Sequence, residues 1–310
     1  MRPGGPYRKS GNSNSGFTHS EICNNNYFYA SNHMRRFVKN HGKGEPIERI
    51  KTFFDDISPH FDNWTEILQE RVYGYVTWEH LKKYIPENKN ALILDAGGGT
   101  GRWAILLAKI GYKVILCDIS KGMLRQAESK IRKERLSDRI KLIEEDLADL
   151  SFPEQTFNFV LCEDGPISIS ASQKVVSELR RVLKKSGKLW ASVIGRYPLA
   201  LAKVGTNPEG ALKLSKCEIN YTSYKGIQNS RVFNAQELQN LFQQNGIEVI
   251  RVYGNRIVSP LLEKKFRTMK DYDDKLFSNI RDIELHLSEE PTLLGMSEYL
   301  QIIGRKAGSA

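Results

Sequence analysis

Short apolar runs alternate with amphipathic stretches through the middle of the chain. Leu92–Asp95, Val114–Asp118, Ile140–Ile143, Phe157–Cys162 and Leu189–Ile194 are built almost wholly from apolar residues. Runs of this length predict strands buried on both faces. Between them, residues 101–110, 121–136 and 172–184 repeat apolar positions at helical spacing. Gly111 follows the first helical stretch as a C-terminal cap should, and Gly187 introduces the last strand of the set. Such alternation predicts a parallel sheet covered by helices on both sides.

Ahead of this block, "FFDDISPHFDNW" and "ILQERVYGYVTWEHLKKYI" predict helices, the second with Leu68, Val72, Tyr75 or Val76, and Leu81 on one face. Beyond it, residues 196–232 show little period and are expected to form an insertion. Asn234 then caps a helix that Gly246 ends, "IEVIRVYG" predicts a strand, residues 260–290 look helical, and "EYLQIIGRK" predicts a closing strand. Residues 1–45 are rich in Gly, Asn, Ser and Arg and predict a flexible basic extension. The expected division is that extension followed by one domain over 46–310, with substrate-lid insertions at about 196–232 and 255–296.

Composition narrows the class. At 310 residues and 40% hydrophobic, the chain can bury one large core. No apolar stretch approaches a membrane span, and no signal-peptide core follows Met1. Four scattered cysteines without a Cys-x-x-Cys pair predict a reducing, cytoplasmic protein without structural metal. The net charge is +10, and residues 1–50, with 8 basic and 3 acidic side chains, hold half of the excess. That distribution predicts a basic tail and solvated helix faces more than a nucleic-acid surface.

The chemistry gathers around "LDAGGGTGRWA". A strand that ends in a glycine turn and opens a helix lets a ligand approach the backbone closely. Asp118, at the tip of the next strand, stands where a carboxylate can accept both hydroxyls of a ribose. The dinucleotide fingerprint fails, because Arg102 occupies the place of its third glycine. No Gly-Lys-Ser/Thr follows, so the phosphate loop fails as well.

The segments "LDAGGGTGRWA", "VILCDISKGML", "IEEDLADLSFPEQTFNFVLCED" and "ELRRVLKKSGKLWASV", in that order, resemble the class I S-adenosylmethionine-dependent methyltransferases. The resemblance covers roughly residues 50–306. It implies a Rossmann-like α/β fold with a mostly parallel seven-stranded sheet, helices on both faces, and helical N-terminal and lid additions. It implies S-adenosylmethionine as methyl donor, with S-adenosylhomocysteine as product. Asp95 and the Gly97, Gly98, Gly99, Gly101 turn would line the methionine portion. Asp118 and Ile119 would meet the ribose, Met123 the adenine face, and Asp146 with Leu147 the adenine edge. Glu163 would face the transfer site, and Arg71 or Tyr73 would cover the cofactor carboxylate.

No Ser-His-Asp or Cys-His arrangement is evident, so Glu163 or Asp164 is the expected base where the acceptor must lose a proton. Trp78, Arg196, Tyr197 and Arg256 are the expected acceptor contacts. The expected acceptor is a small molecule methylated at O, N or C, and the chain a monomer or homodimer. Arg256 and "ELHLSEEPTLLGMSEYLQIIGRK" also resemble the tRNA methyltransferases that esterify the carboxylate of wobble 5-carboxymethoxyuridine, which makes tRNA the alternative partner. Glu163, where that group has His, speaks against it. A non-catalytic, cofactor-binding regulatory subunit is the second alternative.

Overall fold

The computed structural model describes residues 46–224 and 227–307. The expected extension over residues 1–45 lies outside them. Three helices come first: α1 (Pro46–Ile57), the short α2 (Asp62–Thr65) and α3 (Leu68–Leu81). Leu68, Val72, Val76 and Leu81 form the buried side of α3. There follow β1 (Leu92–Ala96), α4 (Arg102–Lys109), β2 (Lys113–Asp118), α5 (Lys121–Lys133), β3 (Ile140–Glu144), β4 (Phe157–Cys162), α6 (Pro166–Ile169), α7 (Ser172–Val182) and β5 (Leu183–Gly195). The chain continues through α8 (Arg196–Lys203), α9 (Pro208–Ser215), β6 (Tyr221–Tyr224), β7 (Ile227–Phe233), α10 (Ala235–Gln244), β8 (Ile247–Asn255), α11 (Lys264–Arg267), α12 (Asp274–Ser288) and β9 (Tyr299–Lys306).

Strands β3, β2, β1, β4 and β5 lie side by side and parallel. Strand β9 pairs antiparallel with β5, and β8 antiparallel with β9, so β8 again runs with the others. These seven make the expected mostly parallel sheet. Helices cover both faces, because its strands are apolar on both sides. One layer packs around Val160, Val176, Leu179 and Phe242, the other around Trp103, Leu107, Phe159 and Trp190.

Two departures have physical causes. Helix α7 stops at Val182 and the chain enters β5 at once, so Gly187 lies inside a strand rather than before one. The surplus residues are absorbed where Phe157 pairs Leu183 but Phe159 pairs Lys188. The described residues between 196 and 232 also form regular elements, namely α8, α9 and the antiparallel pair β6 and β7. Strand β7 extends the sheet where β4 has ended, pairing Val232 with Ile194 and Phe233 with Gly195. Its short pairing left no period in the sequence.

Arg196, expected as an acceptor contact, is what holds this insertion. Its guanidinium is wholly buried, pairs with Glu237 at 2.7 Å, and donates to the Ile219 carbonyl at 2.7 Å and the Asn220 side chain at 2.5 Å. Glu237 meanwhile closes the capping box of α10 with Asn234. Arg196→Met is expected to cost about 3 kcal/mol, since it leaves that carboxylate and two acceptors without their partner. Urea unfolding checks it, and a cost below about 1 kcal/mol would refute the role.

Candidate active site

The carboxyl ends of β1, β2, β4 and β5 open into a cavity of about 220 Å³. Asp95, Gly97, Gly98, Gly99, Asp118, Ile119, Met123, Asp146, Leu147, Glu163, Asp164 and Arg256 all line it. These residues are up to 161 positions apart in sequence, yet parallel strands place their ends on one edge of the sheet.

The glycine turn is organised by two carboxylates. Asp95 lies beneath it, 1% exposed, and accepts the Ala104 amide at 2.9 Å near the start of α4. Asp118 accepts the Gly99 amide at 2.9 Å through one oxygen and the Ser120 amide at 2.8 Å through the other. Gly99 has φ +53, and a Cβ built on it would meet nothing within 4 Å. The turn therefore presents bare backbone to open cavity.

Burial pushes the Asp95 carboxyl up to about 7 and Asp118 up to about 6 from an ordinary 3.8, against the amides that hold them. Between pH 4 and 7 the folded state thus binds more protons than the unfolded chain. The stability these groups contribute is complete below pH 4 and is lost as pH rises through 6 to 7. The ligand-free protein is expected to melt roughly 5 °C lower at pH 7.5 than at pH 5.5, read by calorimetry. A flat profile would remove both groups from buried positions.

Deeper in the cavity, Glu163 is 3% exposed and surrounded by donors. Tyr73 donates to one oxygen, as does Gln301 at 2.5 Å, and Trp190 donates to the other at 2.6 Å. Burial raises its carboxyl above the usual range. Asp164 differs. It has φ +66, its side chain is open to the cavity, and burial by the surrounding protein raises its carboxyl while Arg102 opposes the rise. A non-glycine residue held at positive φ carries backbone strain of the kind found at functional sites.

The structure does not bring all the expected residues here. Gly101 caps α4 at φ +84, behind the turn. Tyr73 is fully buried and lies behind the cavity lining, its hydroxyl against Glu163 and Asp164 and its ring under Arg256. Arg71 turns away, its guanidinium over the rings of Tyr272 and Phe277. Trp78 packs on the core around Leu81 and Trp103, and Tyr197 lies beside Gly295. None of Arg71, Trp78, Arg196 or Tyr197 lines the cavity. Arg256 does, but its charge is engaged by Glu70 and, at 3.3 Å, by Glu298, between the rings of Tyr73 and Tyr299.

Other lining residues escaped the sequence reading. Arg102 faces the cavity and donates to the Glu70 carbonyl at 3.2 Å. Ile47, Ile50, Phe53, Phe54, Ile57, Phe61 and Trp64 form an apolar wall from α1 and α2, and Ile227 joins it from β7. The density of aromatics in "FFDDISPHFDNW" was the available signal.

The lining holds seven carboxylates (Glu70, Asp95, Asp118, Glu145, Asp146, Glu163, Asp164) against two guanidiniums (Arg102, Arg256), in a chain of net charge +10. That balance is unfavourable to a pyrophosphate and favourable to a ligand that carries positive charge. Among the described residues, no cluster of His, Cys, Asp and Glu could hold a metal.

Comparison with known proteins agrees. Residues 93–187 match the family model described as a methyltransferase domain. The chain is 32% identical over 151 residues to a demethylmenaquinone methyltransferase of Bacteroides fragilis, covering 47% of this chain and 60% of that protein. It is 30% identical over 146 residues to one of Geobacillus sp., covering 46% and 61%. It thus spans about three fifths of the length of these curated relatives. A methyltransferase structure from Thermotoga maritima has TM-score 0.54 at 20% identity, covering 82% of this chain and 98% of that one. A phosphoethanolamine N-methyltransferase of Haemonchus contortus, in complex with S-adenosylmethionine, has TM-score 0.52 at 20% identity, covering 82% and 60%; these two likenesses establish the fold. Residues 93–187 are thus similar to the methyltransferase domain family, and the fold is that of solved S-adenosylmethionine-dependent methyltransferases.

Proposed function

We propose that this protein transfers the methyl group of S-adenosylmethionine to a small-molecule acceptor with an apolar body. The observation that carries the proposal is the single cavity in which the Gly97–Gly99 backbone, Asp118 and Asp146 meet Asp164 and an apolar wall. The bound cofactor supplies an electrophilic methyl group on a sulfonium. The chain's own residues do the rest. Asp118 would hold the ribose hydroxyls, Asp146 and the Leu147 backbone the adenine edge, and the Gly97–Gly99 backbone the methionine portion. Arg102 is the cation placed to face a carboxylate there. Glu163, saturated by three donors, fixes the floor and is a positioning residue.

Where the acceptor must lose a proton, Asp164 is the group placed to take it, because both Glu163 oxygens are occupied while Asp164 opens to the cavity. A lone pair on the acceptor oxygen or nitrogen would then attack the methyl group that the bound cofactor would supply, and the acceptor's proton would pass to Asp164. Orientation and exclusion of water supply the rest of the acceleration.

The apolar wall favours a small acceptor over tRNA, and the engagement of Arg256 by Glu70 and Glu298 removes the free cation that a carboxylate acceptor would need. The relatives named for demethylmenaquinone point the same way. The test is incubation with methyl-labelled S-adenosylmethionine and either a metabolite extract or bulk tRNA. Label in an organic-soluble small molecule is expected. Alkali-labile label in tRNA alone would overturn the acceptor class, and no transfer to either would favour a cofactor-binding subunit without turnover.

A further inference from the structure

Residues 46–66 are held by the Lys51–Glu144 ion pair at 2.6 Å at the end of β3 and, at the turns around the cofactor cavity, by two aspartates and one close approach. Asp55 Oδ1 accepts the Ser120 hydroxyl at 2.6 Å and the Gly122 amide at 2.7 Å. Asp62 Oδ1 accepts the Thr100 hydroxyl at 2.6 Å and the Lys130 ammonium at 2.9 Å. Between them, α1 rests directly on the first turn of α5. A Cβ on Gly122 would stand 2.5 Å from the Ser58 hydroxyl and 3.0 Å from Asp55 Cα. Only glycine permits that approach.

The partners in these contacts adjoin the ligand-facing groups. Thr100 follows Gly99, and the Ser120 amide donates to Asp118 at 2.8 Å. The inner face of the segment is the apolar wall of the cavity, while Glu48, Asp56, His60 and Glu66 on its outer side are exposed. The same segment is thus pinned to the donor turns and encloses the space left for the acceptor.

We propose that residues 46–66 are a lid closed by the cofactor: Asp55, Asp62 and the close approach at Gly122 fasten it to the donor-binding turns, so the acceptor cavity is complete only after the donor has bound. This rests on the S-adenosylmethionine reading above. A ligand seated on Gly99 and Asp118 immobilises Thr100 and Ser120, and their hydroxyls are then held in place for Asp62 and Asp55. By linkage, a closed lid must tighten the donor by the factor with which the donor favours closure. Donor-first binding follows, with lid opening needed before the spent cofactor leaves. Asp55 and Asp62 are positioning residues in this scheme.

Hydrogen exchange of the full chain, followed peptide by peptide with calorimetry on the same samples, tests it. Saturating S-adenosylhomocysteine is expected to slow exchange over 46–66 about ten-fold in the wild type. Adenosine, which carries the ribose, is expected to slow it in part, and methionine not at all. Two variants attack the fastening independently: Asp55→Ala with Asp62→Ala removes the acceptors, and Gly122→Ala wedges α1 away while favouring the α5 helix itself. Each is expected to lose the slowing and to bind S-adenosylhomocysteine about 5- to 10-fold more weakly, not to lose binding. Lid amides unchanged in a wild-type sample shown by its heat to be saturated would overturn the lid alone. Slowing that persists undiminished in both variants would overturn the fastening. No heat of binding in the wild type would overturn the cofactor reading and the lid with it.

Discussion

Replacing Gly99 with valine is expected to abolish cofactor binding while the protein stays folded. The position stands at φ +53, so any side chain there costs about 1–2 kcal/mol in backbone strain. The strain should lower the melting temperature by only a few degrees. Binding should suffer far more, because the Cβ and its methyls project into open cavity at the point where the ligand must meet the backbone. At least a hundred-fold loss of S-adenosylhomocysteine affinity is expected by calorimetry, about 3 kcal/mol. Gly99→Ala should show a graded version. Full affinity in the valine variant would mean that the ligand does not approach this turn.

The second large effect is at Asp118. Asp118→Ala removes the acceptor for the Gly99 and Ser120 amides together with the carboxylate meant for the ribose. Hydrogen bonds to a charged group are worth about 1.5–3 kcal/mol each, so an affinity loss near a hundred-fold is expected. Ligand-free stability near pH 7 should change little, because the lost bonds are offset by removing a carboxylate that burial disfavours. The decline of stability between pH 5.5 and 7.5 should also become shallower, since one of its sources is gone. Unchanged affinity would take Asp118 out of the site. A collapse of the ligand-free fold would make its role structural.

These two residues were legible for a local reason. Gly99 and Asp118 sit at the ends of consecutive strands, and the period of the strands placed them before any tertiary contact was known. The same holds for Asp95, Asp146 and Asp164, each at a strand end or just beyond one. Arg71, Trp78, Arg196 and Tyr197 misled because residue type and nearness to the sheet edge do not say where a long side chain turns. Arg71 found the rings of Tyr272 and Phe277, and Arg196 found Glu237. Both are contacts across more than 40 positions, with no periodic trace.

The helical lid shows the same limit from the other side. "FFDDIS" announces an amphipathic helix, yet nothing in it says that the apolar face covers a cavity rather than a core. That depended on Asp55 finding Ser120 and Gly122, and Asp62 finding Thr100.

By itself, the sequence determined the alternation of strands and helices, the glycine turn, and the acids at the strand tips. Those follow from short-range rules, namely burial at fixed period and the backbone freedom of glycine. Tertiary structure alone decided which carboxylate is saturated by donors, which arginine is already paired, and which segment walls the cavity. Each of these is a competition among distant partners for one charge or one apolar face, and only the packed chain brings the competitors together.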